Sequence, residues 1–359
     1  MPDSRPEPTG SRRLRTAVIY NPTKVNQPRL RRAIAAVERD RDWRPSVWLE
    51  TERHDAGAGA AHKALAQEVD LIIAAGGDGT VRAVASELVD TQVPLLIIPV
   101  GATNLFATNL GLRSRGYTRA LRRALAGQPF SVGAGRIELT RADGGLESLR
   151  FFVITGFGLD EHMVRNTSAK HKNALRWPAY IPAIITSLRS RASSRVRIRL
   201  DGQDQGWQQA HTVMTGSCGR LPTGISILPN AHPARGSFDV LTMRSLAPLN
   251  LVRFMAWLVR KNLPAGRNQR RRQRDSSHNT TLSYREAHSV TLDFEGPMAF
   301  QADGESIGEA TAAQIDHLPD AIRVMLPVGT TWPGLRSHVA RASELQRSCL
   351  PDTADRRKP

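Results

Sequence analysis

The sequence predicts an α/β domain built on a parallel sheet, followed by a second, mostly β domain. Short apolar runs alternate with amphipathic segments as far as about residue 130, which is the pattern of strands joined by crossover helices. The run Leu71–Ala75 is unbroken and apolar, as expected for a strand that is covered on both faces. After residue 130, strand-like runs separated by turn signals dominate and helices become few.

Four strands and four helices are predicted in the first domain. The strands are Ala17–Tyr20, Ser46–Leu49, Leu71–Ala75 and Pro94–Pro99. The helices are Arg29–Arg39, Ala60–Val69, Val81–Leu88 and Asn104–Leu110. Because ligands of parallel α/β sheets bind beyond the carboxyl ends of the strands, we expect the functional loops at that edge.

The second domain is predicted to contain seven strands and two helical stretches. The strands are Arg136–Leu139, Ser148–Thr155, Val196–Leu200, His211–Thr215, Ser237–Thr242, Ser289–Phe294 and Ile322–Leu326. The helical stretches are Pro178–Arg189 and Leu249–Leu263, and Arg267–Arg274 is expected to be an exposed loop. The expected divisions are a disordered tail (1–11), an α/β domain (12–130), a β-rich domain (131–330), a helix returning to the first domain (331–348) and a disordered tail (349–359).

Composition is that of a folded globular protein. The chain has 359 residues, of which 40% are hydrophobic and 23% charged, enough for two domains of ordinary size. No run approaches the roughly 18 uncharged apolar residues of a membrane-spanning helix, and the first residues lack the apolar core of a secretory signal. Cys218 and Cys349 give neither metal spacing nor a disulfide framework. A cytoplasmic location is therefore expected.

The net charge of +17 is the unusual bulk property. It favours nucleic acid, an anionic membrane leaflet or anionic substrates as partners. A biased base composition of the genome would, however, produce the same excess of arginine. No helix-turn-helix, zinc spacing or aromatic RNA-binding pattern accompanies the charge. We therefore expect no specific nucleic-acid partner.

The segment Gly76-Gly77-Asp78-Gly79-Thr80 directly follows the apolar strand. Glycines let a backbone approach a ligand closely, and amide N–H groups at the start of the next helix form a nest for phosphate oxygens. A carboxylate in such a nest is favourable only beside Mg²⁺ or a hydroxyl group. The Lys-Ser/Thr ending of a Walker A loop is absent. The segment predicts a phosphate-binding turn, and the alternative is a simple tight turn in which Asp78 caps the helix.

This loop, with its surroundings, resembles the superfamily of bacterial diacylglycerol kinases, sphingosine kinases and NAD kinases. Further segments with this resemblance are Asn21-Pro22-Thr23, Pro99–Ala107, Gly156–Asp160 with Trp177–Tyr180, Gly224–Asp239 and Gln301-Ala302-Asp303-Gly304-Glu305. The glycine loop does not separate lipid kinases from NAD kinases. The Asp-Gly-Glu turn, with no Asn-Glu after the second glycine turn, favours a lipid kinase.

The resemblance implies an NAD kinase/diacylglycerol kinase-like α/β domain, a β-sandwich second domain, and transfer of phosphate from ATP with Mg²⁺ to a lipid hydroxyl. Glu305 would be the general base, Asp303 would orient the site or contact metal-bound water, and Asp78 would organise Mg²⁺ and the γ-phosphate. The metal ligands would thus be Asp78 and Asp303. The nucleotide-binding residues would be Asn21, Pro22, Thr23, Thr51, Gly76, Gly77, Asp78, Gly79, Thr80, Gly101, Thr103 and Asn104.

Several positions depart from the family pattern. Ala102 replaces a usual hydroxyl residue, Arg82 stands where many members have Asn and its guanidinium could reach a phosphate, and Ala234-Arg235-Gly236 replaces an Asp-Asp-Gly stretch that helps hold a structural Mg²⁺ in some relatives. We expect no second metal here. An active enzyme is predicted, and the alternatives are a non-catalytic lipid-binding relative and an NAD kinase. Without the resemblance, Asp303-Gly304-Glu305 would be read as an ordinary surface turn.

Two segments are candidates for contact with a bilayer. Trp177–Arg191 and Leu249–Leu263 combine apolar stripes with flanking arginines, so each can lie among anionic headgroups or pack on the β domain. For Leu249–Leu263 packing is favoured. We expect peripheral association with the inner face of the plasma membrane. Diacylglycerol, a sphingoid base, a ceramide and a polyprenol-like alcohol all remain open as acceptors, and a homodimer is compatible with the sequence.

Overall fold

The computed structural model describes residues 13–101, 103–112, 116–158, 193–221, 226–244, 254, 256–258 and 282–330. The first part of the chain contains strands β1 (Thr16–Tyr20), β2 (Val47–Glu50), β3 (Leu71–Gly76) and β4 (Leu95–Pro99). Its helices are α1 (Gln27–Arg41), α2 (Ala58–Leu65), α3 (Asp78–Glu87), α4 (Leu105–Asn109) and α5 (Tyr117–Leu125). Strands and helices therefore alternate as the sequence predicts.

The four strands form a parallel sheet in the order β2-β1-β3-β4. Apolar residues of α1 and α5 pack on one face, and those of α2, α3 and α4 pack on the other. All six residues of β3 are buried. This two-sided cover explains why β3 is apolar at every position rather than at alternate ones.

Helix α1 shows how local sequence sets the element bounds. The Asn26 side chain accepts a hydrogen bond from the Arg29 amide at 3.1 Å, and a proline lies in the first turn, both favourable at a helix N-terminus. The helix ends where Asp42 takes a left-handed conformation, with two arginines in the last turn to oppose the dipole. Leu30 and Ile34 face the sheet.

The rest of the described chain is β-rich. Its strands are β5 (Gln128–Thr140), β6 (Leu146–Phe151), β7 (Ile154–Phe157), β8 (Ser194–Leu200), β9 (Gln203–Ala210), β10 (Thr212–Gly216), β11 (Phe238–Met243), β12 (Leu282–Ala287), β13 (Ser289–Ala302) and β14 (Glu305–Leu326). Antiparallel pairing gives the order β12-β11-β10-β7-β13-β14, while β5 pairs with β14 and β8 with β13. Phe157, Phe294 and Phe300 contact one another within its core.

Strand β14 connects the two parts. Its first half pairs with β13, and its second half pairs with β5. Near its end, Val324 pairs with Leu95 in parallel, so the strand also extends the first sheet beyond β4. The edge of β4 that faces away from β3 therefore lies beside a strand that begins at Glu305.

The prediction of one strand over Ser148–Thr155 is wrong, because two strands, β6 and β7, flank an irregular step. The amides of Phe152 and Val153 donate to the carboxylate of Asp303 instead of to a neighbouring strand. The predicted strand Ile322–Leu326 is the end of the much longer β14. Helix α5 and strands β9 and β12 were not predicted.

Several predictions lie outside the described residues: the helices Pro178–Arg189 and 331–348, the loop Arg267–Arg274, and the tails 1–11 and 349–359. Within Leu249–Leu263, Phe254 and 256–258 are helical. Phe254, Trp257 and Leu258 are buried in a cluster with residues of β10 and β11, which favours the packed alternative for this segment. In the described ranges, no helix combines the length and apolar character needed to cross a bilayer.

Candidate active site

The carboxyl edge of the parallel sheet gathers four of the predicted nucleotide-binding turns. Asn21 follows β1, Thr51 follows β2, Gly77 follows β3 and Gly101 follows β4. Backbone hydrogen bonds tie these turns to the ends of the neighbouring strands, including Asn21 N to Ala75 O at 3.0 Å. The strand order reverses direction between β1 and β3, and ligands of open α/β sheets bind in the crevice at such a point.

The turns after β3 and β4 pack backbone against backbone. A Cβ atom placed on Gly101 would lie 2.7 Å from the Cα atom of Gly77, and one on Gly76 would lie 2.4 Å from the Cβ atom of Thr80. The Gly101 amide donates to the Asn104 side chain at 3.1 Å, which closes the second turn. Glycine is therefore required at Gly76 and Gly101 by close approach rather than by a positive φ.

Helix α3 begins inside the glycine segment, at Asp78. Gly77, the residue before it, has no side chain that could cap the helix. The first N–H groups of a helix lack acceptors within the helix and carry the positive end of its dipole. This arrangement is suited to an anion such as a phosphate group.

Asp78 joins the two glycine turns. Its carboxylate accepts hydrogen bonds from the Thr103 hydroxyl, from the Asn104 amide at 2.8 Å and from the Leu105 amide. The residue thus caps α4 rather than its own helix. These contacts fix the second turn against the first, and the role of Asp78 toward Mg²⁺ stays a prediction.

Lys24 is a charged residue of the site that the sequence reasoning missed. Its Nζ atom lies 2.8 Å from the position that a Cβ atom on Gly77 would take. The turn that carries it is closed by Asn21, whose side chain accepts from the Thr23 amide at 3.0 Å and from the Thr23 hydroxyl at 2.7 Å. The sequence could have indicated this residue, because lysine is much rarer than arginine in this chain and Lys24 lies in the turn after the first strand, at the carboxyl edge of the sheet.

Asp303 is buried and holds the start of β7. One carboxylate oxygen accepts from the Phe152 amide at 2.9 Å, and the other accepts from the amides of Val153 and Ile154 at 2.8 and 3.1 Å. Burial raises the pKa of Asp303 to about 6, although the backbone donors and the charge of Arg82 oppose the rise. This geometry suits an orienting residue, and the assignment of Asp303 as a metal ligand stays a prediction.

Glu305 reaches the glycine segment from the other end of the chain. A Cβ atom on Gly79 would lie 2.9 Å from Glu305 Oε1, and Oε2 accepts a hydrogen bond from the Arg82 guanidinium. The Glu305 side chain is 50% exposed, so a substrate can approach it. The fold thus brings a carboxylate from β14 to the N-terminus of α3, the position that a general base beside a bound phosphate would need.

Known proteins show the same two-part organisation. Residues 15–137 match the family model of the diacylglycerol kinase catalytic domain, and residues 154–326 match that of the YegS C-terminal NAD kinase beta sandwich-like domain. The chain is 26% identical to a diacylglycerol kinase of Bacillus subtilis over 320 residues, 87% of this chain and 96% of that protein. It is 30% identical to a probable lipid kinase YegS of Escherichia fergusonii over 219 residues, 60% of this chain and 69% of that protein.

A solved structure shares the fold. The crystal structure of a putative diacylglycerol kinase from Bacillus anthracis matches with a TM-score of 0.66 and 21% identity, covering 88% of this chain and 98% of that one. The match to the diacylglycerol kinase catalytic domain and the kinase-named relatives identify a phosphotransferase with an alcohol group as acceptor. The chain belongs to the diacylglycerol kinase family, in the group with a YegS-type C-terminal domain.

Proposed function

We propose that this protein transfers the γ-phosphate of ATP to a hydroxyl group of diacylglycerol or a related, sphingoid-type lipid. The observation that carries the proposal is the contact of Glu305 with Gly79, which joins a candidate base to a candidate phosphate site. The Asp303-Gly304-Glu305 turn thus places a carboxylate against the first turn of α3. Family membership supports the same reaction class.

In this proposal the nucleotide phosphates lie on the N-terminus of α3, between the turns after β1, β3 and β4. The backbone of Gly76–Thr80 and of the Gly101 turn faces them, and Thr103 and Asn104 hold that turn in place. Asn21, Pro22 and Thr23 form the turn after β1, with Thr51 beside it after β2, and the Lys24 ammonium adds a cation next to Gly77.

The transfer is a single in-line displacement. The acceptor hydroxyl oxygen forms a bond to the γ-phosphorus while the bond from that phosphorus to the β–γ bridging oxygen breaks, and its electron pair leaves with ADP. The hydroxyl proton passes to the carboxylate of Glu305, which later returns it to solvent. A positioned base contributes about 10²–10⁴-fold, and alignment of the two substrates supplies much of the rest.

A magnesium site made of protein ligands alone does not fit the described residues. They contain no group of three His, Cys, Asp or Glu side chains that could hold a metal ion, and the carboxylates of Asp78 and Asp303 accept three hydrogen bonds each. Mg²⁺ in kinases keeps several waters and binds mainly to substrate phosphates. We therefore propose that the ion arrives on the nucleotide.

We propose that the reaction takes place at an anionic membrane surface, where the lipid acceptor resides. A net charge of +17 favours attraction to such a surface. Phe254, Trp257 and Leu258 are buried against the β-rich part, so the contact is better sought elsewhere, with Trp177–Arg191 as the remaining candidate from the sequence.

The test is transfer of labelled γ-phosphate from ATP with Mg²⁺ to a mixed lipid extract. Wild type should label a chloroform-soluble product, and Glu305→Gln should reduce the rate by about a hundredfold or more. Glu309→Gln is a matched control, because Glu309 is an exposed carboxylate on the same strand. Label in NAD instead of lipid would identify an NAD kinase. Nucleotide binding without any transfer by folded protein would identify a non-catalytic relative.

A further inference from the structure

Arg82 forms an ion pair with the proposed catalytic base. Its Nη2 atom donates to Glu305 Oε2, and the two residues are 223 positions apart in the sequence. The Arg82 side chain is 22% exposed, whereas that of Glu305 is 50% exposed. A cation on α3 therefore holds a carboxylate of β14 beside the Gly76–Thr80 segment.

The position of Arg82 on α3 also directs it toward the proposed phosphate site. Arg82 lies four residues after Asp78, where the helix begins, and long side chains of a helix lean back toward its N-terminus. The contacts of Glu305 support this direction, because one of its carboxylate oxygens lies beside Gly79 and the other accepts from Arg82. The guanidinium thus lies beside the first turn of α3.

We propose that Arg82 exchanges partners during the reaction: it pairs with Glu305 when no nucleotide is bound and with the terminal phosphate when a nucleoside triphosphate is bound. The inference rests on the proposed function. A phosphate group carries more negative charge than a carboxylate, and it matches the planar fork of a guanidinium in a bidentate manner. Exchange releases Glu305 Oε2, which then faces the acceptor hydroxyl as a proton acceptor.

Two further charges bear on this exchange. The positive charge of Arg82 acts on the buried carboxylate of Asp303 and opposes the rise in its pKa. Lys24, beside Gly77, provides a second cation for the phosphates. Arg82 is therefore a positioning residue toward Glu305 and a binding residue toward phosphate.

The alternative is an ion pair that only joins α3 to β14. Such a partly exposed pair contributes little to stability, and its loss would not change nucleotide affinity in a way that depends on Glu305. Under exchange, Glu305 competes with phosphate for Arg82. Removing the Glu305 charge should then tighten nucleotide binding, and only when Arg82 is present.

The experiment is a double-mutant cycle on the affinity of a non-hydrolysable ATP analogue with Mg²⁺, measured by calorimetry on the full chain. Glu305→Gln should tighten binding by about threefold to tenfold, Arg82→Gln should weaken it by about tenfold, and the double variant should equal Arg82→Gln alone. No tightening in Glu305→Gln overturns the exchange. Equal tightening with and without Arg82 also overturns it, because that result is general charge repulsion.

Glu295→Gln is the control, since it removes a carboxylate from an exposed ion pair with Arg195 in the β-rich part and should leave affinity unchanged. If Arg82→Gln does not fold, Arg82→Met replaces it, and the effect of Glu305→Gln should disappear because methionine carries no charge for which Glu305 and phosphate could compete. An undiminished effect overturns the exchange. Folded wild type that binds no analogue rejects the proposed function, whereas binding without coupling rejects only the exchange.

Discussion

Asp303→Asn tests how the fold holds its buried carboxylate. The side chain is 7% exposed, and its two oxygens accept from three backbone amides. Asparagine can keep the two bonds to Val153 and Ile154 through its carbonyl oxygen. Its NH₂ group then faces the Phe152 amide, which loses its acceptor at a cost of about 1–3 kcal/mol.

Burial sets the pH dependence of this variant. It raises the pKa of Asp303 from 3.8 to about 6, so the folded protein holds the proton more tightly than the unfolded chain. The carboxyl group therefore favours folding most at acidic pH, and this contribution falls as the pH rises through the window from about 4 to about 6. Between about pH 5 and about pH 7.5, the free energy of unfolding of wild type should fall by about 1.4 kcal/mol relative to Asp303→Asn.

The assay is urea denaturation followed by tryptophan fluorescence at both pH values, with the variant as the reference for all other titrating groups. Asp201→Asn is the control: Asp201 accepts from the amides of His288 and Ser289 in the same left-handed conformation, but its side chain is 45% exposed. A difference between wild type and Asp303→Asn that stays constant with pH, or grows toward alkaline pH, would refute the reasoning.

Two other predictions concern the turns that we propose to bind the nucleotide. Gly101→Ala should weaken binding of an ATP analogue at least tenfold and cost about 1–3 kcal/mol of stability, because its Cβ atom would lie 2.7 Å from the Gly77 Cα atom. Gly296→Ala is the control, since a Cβ atom there would have no atom within 4 Å. It should change neither the affinity measured by calorimetry nor the urea midpoint. Lys24→Ala should weaken the same analogue about fivefold to tenfold in calorimetry, and unchanged affinity would remove Lys24 from the site. Lys63→Ala, an exposed lysine of α2, is its control.

The alternation of strands and helices in the first part was predictable because two-sided burial makes β3 apolar at every position. The extent of β14 was not. Its segment from Glu305 to Asp320 contains many polar and small residues, and pairing with β13 and β5 decides its conformation rather than local pattern. Helix α5 was visible in principle, since Leu121, Ala124 and Leu125 fall on its buried face.

For the candidate site, the sequence predicted the turns but not their contacts. Parallel-sheet logic brings Asn21, Gly77 and Gly101 to one edge, as the structure shows. The sequence pattern could not show that the Phe152 amide donates to Asp303 instead of to a neighbouring strand, because that hydrogen bond depends on where β7 begins. The pairing of Arg82 with Glu305 likewise requires the path of β14 in three dimensions.

The pairing of β14 with β4 limits how this protein can be divided. A fragment ending near residue 130 would contain β1 to β4 and the turns that follow them, yet it would leave β4 with an unpaired edge, because Val324 would no longer lie beside Leu95. Exposed strand edges recruit other chains and promote aggregation. The α/β part therefore depends on β14 to cover the edge of its sheet, and truncation or domain-exchange experiments should keep β14 with the sheet that it completes.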